Sequence, residues 1–269
     1  MSLIQIENDD GVAVVTLNRS DKHNALNAEM MVGLAEAWDQ VARDESVRVV
    51  LLTGAGEKAF CAGADLGSLA PLATGARLPQ TAFEQRWVDE HQSLVDRALL
   101  RNTDFLKPVV AAVNGLAVAA GFELMLGADI RVASSASNFQ LSEVRHGLIP
   151  SGGGLARLPR QIGWANAMEI ILAATTINAE RALSMGLVNR LVAPPDVRRS
   201  AKALCARIAE GGPLALRKAK EAVVRSSGCD LQRAFQVEQD CQAVVMASAD
   251  AREGPAAFME RRAPQFTGR

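Results

Sequence analysis

Glu123 lies in the stretch AVAAGFELMLG, residues 117–127, among alanines, glycines and large apolar side chains. Between Val109 and Leu126 the only polar side chains are Asn114 and Glu123. A lone ionised carboxylate is costly to bury, so such a group is usually paired, neutralised or functional. The residues leave two readings open: an ion pair with Arg131 or Arg145, or acid–base chemistry. A second carboxylate, Glu143, stands in FQLSEVRHGLIP ahead of a Pro-Ser-Gly-Gly-Gly turn. Taken alone it also fits an ordinary surface glutamate near a helix start. Two loops, FCAGADL (60–66) and AVAAGFELM (117–125), share a small-residue character. Ala and Gly there let a ligand reach backbone N–H groups, and a helix starting just beyond adds a positive dipole end. Two such N–H groups converging on one oxygen would make an oxyanion hole. Tight packing between elements accounts for the same composition.

Other chemistries find little support. Cys61, Cys205, Cys229 and Cys241 form no C-x-x-C pair, and His23, His91 and His146 form no H-x-x-x-H pair, so no metal site is expected. There is no P-loop, no G-x-G-x-x-G opening a helix after a strand, and no G-x-S-x-G elbow. SGGG at 151–154 could form an anion nest, although after Pro150 it reads more simply as a helix-entry turn. The net charge is −1, Tyr is absent and aromatic residues make up 4%, which argues against a nucleic-acid partner. Acid–base work by carboxylates is what remains.

These groups need a frame. VAVVTL reads as a strand over Val12 to Leu17; Asn27 caps a helix ending near Asp44, with Met31, Leu34, Ala35, Trp38 and Val41 at helical spacing. VRVVLLTGAG is a second strand, GEKAFCAGADLGSL and PLATGARLP are loops, and a long helix follows around Ala82 to Arg101. PVVAAVNGLAVAAG gives one or two strands, FELMLGA a helix and DIRVASS a strand. LPRQIGWANAMEIILAATTI is helical, and AERALSMGLVNRLVA is helix, glycine turn and strand. This alternation predicts an α/β fold with parallel strands and crossover helices. Beyond PPDV (194–197) everything reads helical, which divides the chain into a core at 1–193 and a helical region at 194–269. The N-terminus lacks a signal-peptide pattern, the 109–126 run is broken by Asn, Glu and Gly, and the final TGR is no peroxisomal address. Scattered cysteines fit a reducing compartment. A soluble cytoplasmic protein with no membrane partner is expected.

In order along the chain, NRSDKHNALN, KAFCAGADL, AAVNGLAVAAGFELMLGADIRVA, FQLSEVRHGLIPSGGG, AERALSMGLVNRLV and REGPAAFMERRAPQF resemble the enoyl-CoA hydratase/isomerase (crotonase) family from end to end. The resemblance implies a spiral of repeated strand–strand–helix units, with C-terminal helices that build homotrimers, often paired into hexamers. It also implies an acyl-CoA substrate, a place in fatty acid β-oxidation, and no metal or redox cofactor, coenzyme A being part of the substrate.

By the same resemblance, the oxyanion-hole N–H groups fall on Ala64 and Ala120, and the catalytic glutamates on Glu123 and Glu143. Hydratases of the family commonly have Gly where this chain has Ala120; the added methyl keeps the N–H but narrows the acyl site. Isomerases of the family typically keep one carboxylate at these two places or put it elsewhere, so the pair favours hydration. Isomerisation stays open because the same dyad can move a proton. So do a specialised acyl-CoA hydratase or dehydratase and a CoA-binding scaffold without activity. CoA contacts are implied at His23, Ala25, Ala62, Asp65 and Leu66, mostly through backbone atoms. Phe258 and Arg261 are implied near the CoA, often from a neighbouring subunit, though a solvated helix face accounts equally well for Arg261 and Arg262.

Overall fold

The computed structural model describes residues 2–101 and 105–269. Strands β1 (Ile4–Asp9) and β2 (Val12–Leu17) form an antiparallel hairpin through Asp10 and Gly11. Both turn residues have positive φ, at 49° and 78°, as a tight hairpin turn matching the strand twist requires. Helix α1 (Ala28–Arg43) follows; Asn27 caps it by accepting the Met30 N–H, and Met30, Met31, Leu34, Ala35, Trp38 and Val41 are buried. The chain then repeats one unit. Strands β3 (Val49–Gly54) and β4 (Ala59–Cys61) lead to helix α2 (Leu66–Ala73). Helices α3 (Ala82–Asp89) and α4 (His91–Ala98) pack on α1. Strands β5 (Val109–Val113) and β6 (Leu116–Val118) lead to helix α5 (Ala120–Leu126). Strands β7 (Ile130–Ser134) and β8 (Asn138–Gln140) lead to a 3-10 turn at Glu143–His146 and helix α6 (Gly154–Ile162). Helix α7 (Trp164–Ala173), strand β9 (Ile177–Asn178), helix α8 (Ala179–Ser184) and strand β10 (Arg190–Val192) complete the sheets.

Each repeat gives its first strand to one sheet and its second to another. The six-stranded sheet runs β1-β2-β3-β5-β7-β10, and the four-stranded sheet runs β4-β6-β8-β9. The fold is therefore an α/β spiral. Alternate residues of β3 and β5 enter two different cores: Val50, Leu52, Val109, Ala111 and Val113 face α1 and the spiral interior. Val49, Leu51, Val110 and Ala112 face helix α9 (Val197–Ala209) through its Val197, Ala201, Leu204, Cys205 and Ala209. Burial on both faces is why these strands read as unbroken apolar runs. Helix α9 lies beyond the division expected at residue 193, yet it covers the large sheet. Helices α10 (Pro213–Ser226) and α11 (Leu231–Met246) pack on each other, and α12 (Asp250–Glu260) packs on α11. No helix among the described residues is long and apolar enough to cross a membrane.

Three local expectations are corrected. Within the segment expected as loop, Ala59–Cys61 is strand β4, paired in parallel with β6. The segment after Asp65 is not all loop: Leu66–Ala73 is helical despite Pro71, because the Asp65 side chain caps it by accepting the Ser68 N–H. The expected long helix from Ala82 is two helices broken at Glu90, whose carboxylate takes hydrogen bonds from Arg86 and Arg97. The break lets both pieces lie on α1, where the Trp38 indole N–H reaches the Ala98 carbonyl at 3.0 Å.

Arg131 fixes the far end of α5. Its guanidinium, buried and pushed down to about 10 by that burial, donates to the carbonyls of Met125, Leu126, Ala128 and Leu187 at 2.9–3.3 Å. Met125 and Leu126 keep a second donor, from the Ala128 N–H and Gln161, but replacing Arg131 leaves the Ala128 and Leu187 carbonyls with no donor among the described residues, each worth roughly 1–3 kcal/mol. Arg131→Leu is expected to destabilise the protein by about 3 kcal/mol or more, read from the midpoint of urea unfolding.

Candidate active site

The loop after β4 is threaded onto the segment before α1. Asn24, fully buried, accepts the Arg19 N–H and donates to the Ala55 and Ala59 carbonyls at 3.0 and 2.9 Å. Its own carbonyl takes a hydrogen bond from the Cys61 thiol, which burial raises to about 12 and so keeps protonated. The Ala62 N–H donates to His23, and Arg19 bridges the Ala25 carbonyl to the Asp65 carboxylate at 2.9 and 2.7 Å. His23, Ala25, Ala62, Asp65 and Leu66 thus form one contiguous patch, with His23 and Leu66 exposed. Beside it, the Leu26 N–H donates to Gly63 and the Asp65 N–H to Leu26. The Ala64 N–H lies between them and donates to no described residue.

The second small-residue loop meets the first. A Cβ placed on Gly63 would lie 2.8 Å from the Ala119 Cβ and 3.3 Å from the Ala120 nitrogen. One placed on Gly121 would lie 2.2 Å from the Cys61 carbonyl oxygen, so only glycine lets α5 start against β4. Ala120 is the first residue of α5, where N–H groups have no partner within the helix, and its N–H donates to no described residue.

Glu123 stands in the first turn of α5 and is 2% exposed. It makes no ion pair among the described residues. Arg131 is spent on backbone carbonyls, and Arg145 donates to the Ala173 carbonyl at 3.3 Å. The partner is the SGGG turn instead: the Gly154 N–H donates to Oε1 at 2.8 Å, and the Gly152 N–H also favours the ionised carboxylate. The turn is both the entry to α6 and an anion nest, and the anion is the chain's own side chain. A Cβ on Gly152 would lie 2.7 Å from Glu123 Oε2 and 2.4 Å from Leu99 Cδ1.

Glu143 opens the 3-10 turn between β8 and that nest. It is no plain surface glutamate: its Oε2 is buried with no hydrogen-bond partner among the described residues. Burial raises its pKa. Burial first, and then the Glu143 charge, raise Glu123 to about 7 against the opposing hydrogen bonds. A buried carboxylate, Glu123, thus feels the charge of a half-buried one, Glu143. Phe258 and Arg261 stand apart from this cluster. Phe258 is 81% exposed on α12, and no hydrogen bond or ion pair among the described residues ties Arg261 to the Ala64 loop. Among the described residues, no group of three or more His, Cys, Asp or Glu side chains could hold a metal ion. Sequence reasoning passed over Asn24 and Arg19, which carry no signal in a polar stretch, and did not connect the SGGG turn to Glu123.

The sequence model of the enoyl-CoA hydratase/isomerase family matches residues 7–269. The chain belongs to that family. A short-chain-enoyl-CoA hydratase of Clostridium acetobutylicum is 35% identical over 96% of this chain and 94% of its own. A 1,2-epoxyphenylacetyl-CoA isomerase of Escherichia coli is 36% identical over the full length of both. The solved enoyl-CoA hydratase of Bacillus anthracis superposes with a TM-score of 0.89 at 35% identity, covering 99% of this chain and 100% of that one. This enoyl-CoA hydratase/isomerase family member therefore has the crotonase spiral, with its carboxylates, nest and paired loops built as described above.

The raised carboxylate has a stability consequence. A Glu123 that titrates near 7 binds more protons folded than unfolded, so it weakens the fold as pH climbs from the ordinary carboxylate range through neutrality. Glu123→Gln removes that charge while keeping an acceptor for the Gly154 N–H. It is expected to raise Tm at pH 8 and to change it far less at pH 5, where the native carboxyl is already neutral. Thermal unfolding at both pH values checks this.

Proposed function

We propose that the protein catalyses the reversible hydration of trans-2-enoyl-CoA thioesters to 3-hydroxyacyl-CoA. The observation that carries this reading is a buried Glu123 whose pKa the charge of the half-buried Glu143 raises, beside two loops that meet with unused N–H groups at Ala64 and Ala120. Each of these parts has a role in the reaction. The thioester oxygen accepts from both N–H groups, which stabilise the enolate-like charge as it grows; one such donor is worth about 2.7–4 kcal/mol of barrier. Glu123 takes a proton from water as its oxygen attacks C3, and Glu143 gives a proton to C2 from the same side. The patch of His23, Ala25, Ala62, Asp65 and Leu66 receives the CoA. Phe258 and Arg261 reach the CoA from a neighbouring subunit of a homotrimer or hexamer. The reaction needs no metal or redox group and suits the cytoplasm.

A second reading has one specific support, the full-length likeness to a CoA-ester isomerase. The same pair would then move a proton along the acyl chain.

Glu123→Gln and Glu143→Gln are each expected to slow hydration of crotonyl-CoA by about 100-fold or more; near-native turnover of either variant refutes the dyad. If the wild type hydrates no chain length yet converts 3-enoyl-CoA to the 2-enoyl form, the isomerase reading replaces hydration. The pH profile offers a separate check. With both groups protonated there is no base, and with both ionised there is no acid. The pair loses its last proton near 7, so kcat/KM is expected to bend downward above that pH and again on the acid side.

A further inference from the structure

Ala119 carries φ 50° and ψ −127°, a backbone conformation that a side chain disfavours. The reason is visible in its hydrogen bonds. Its N–H donates to the Gln140 carbonyl at 2.9 Å, extending the β6–β8 pairing. Its carbonyl accepts the Glu123 N–H at 2.9 Å, the first bond of α5. The chain changes from strand to helix across this one residue.

That joint aims a functional group. The Ala119 carbonyl and the Ala120 N–H belong to one planar peptide and point in opposite directions. Because the carbonyl is tied to Glu123 along the helix, the N–H points back out of the helix start. The Ala119 methyl adds a second restraint. Gly63, which precedes Ala64 and itself has φ 92°, comes so close that a Cβ there would lie 2.8 Å from the Ala119 Cβ and from the Val118 carbonyl oxygen. Each unused N–H therefore follows a positive-φ residue, and those two residues touch.

We propose that Ala119 is a positioning residue: its methyl, wedged against Gly63 in a strained strand-to-helix joint, sets the spacing and aim of the Ala64 and Ala120 N–H groups. This rests on the oxyanion-hole reading above. A glycine could hold the same φ without strain but would leave the wedge empty, so that only the backbone bonds to Gln140 and Glu123 would still restrain the peptide. Donors that must meet charge only as it develops lose most when their placement loosens, so the loss should fall on turnover rather than on binding.

The test compares the wild type with Ala119→Gly and Ala119→Ser. Two readouts are used: steady-state hydration of crotonyl-CoA, and the absorption of a bound aryl-acryloyl-CoA, whose conjugated carbonyl shifts to the red when polarised. Ala119→Gly is expected to lower kcat by about tenfold or more with KM changed less than about threefold. The red shift of the bound probe should shrink while Tm stays level or rises as strain is relieved. Ala119→Ser restores a Cβ and should recover most of both losses. An unchanged kcat and red shift in Ala119→Gly overturns the proposal, as does a serine variant no better than the glycine one. A wild type that binds the probe with no red shift overturns the oxyanion-hole reading as well, which separates the two failures.

Discussion

The structure turns on how Glu123 is held. A carboxylate 2% exposed needs compensation, and the obvious candidate, Arg131, is eight residues along the chain. The fold withholds it: Arg131 is saturated by four carbonyls. Compensation comes from neutral N–H dipoles of the glycine turn. The difference matters chemically, because a guanidinium beside a carboxylate lowers its pKa by one to three units, roughly. Backbone donors orient the group yet leave burial to dominate, so a glutamate that titrates near 7 results. The geometry then dictates sequence. Gly152 cannot carry a side chain without striking Glu123 and Leu99, and Arg157 braces the segment behind by donating to the Leu99 and Leu100 carbonyls.

The same constraint reaches the backbone donors. Glu123 can stand in the first turn of α5 only if α5 begins against β4, which Gly121 permits. Starting there leaves the Ala120 N–H unpaired by the ordinary rule for helix ends. Threading Leu26 between Gly63 and Asp65 leaves the Ala64 N–H unpaired in the same way. The two free donors are consequences of element placement, and the buried network around Asn24 and Cys61 locks that placement.

What was legible in the sequence follows from range. The Asn27 cap, the β2 and β3 runs and the strand–turn–helix around Glu123 are local patterns, and they emerged as read. Glu123 announced itself because a charge in an apolar run is an anomaly within one window. Glu143 stood out as a second carboxylate but could not be told from a surface glutamate, since the burial of its Oε2 arises from packing that a loop sequence does not encode locally. Asn24 was silent for a related reason: it sits in a polar stretch, and only its partners at Ala55 and Ala59 bury it. The break at Glu90 involves neither Pro nor Gly, and arises where α3 and α4 each lie down on α1. Helix α2 was hidden by Pro71 and by a small-residue composition that suits loops equally well.

The pairing of Glu123 with Glu143 also explains why one fold can run the proposed reaction in either direction. Burial raises both groups, and the Glu143 charge raises Glu123 further, to about 7, so the pair as a unit holds a proton up to about neutral pH. In the proposed hydration the proton would start on Glu143 and end on Glu123, and dehydration would begin where hydration ended. Both ends carry the same total charge, a single negative one. The surroundings therefore never need to stabilise a second charge, and a few backbone dipoles suffice. A fixed cation at the nest would favour one protonation state over the other and tilt that balance.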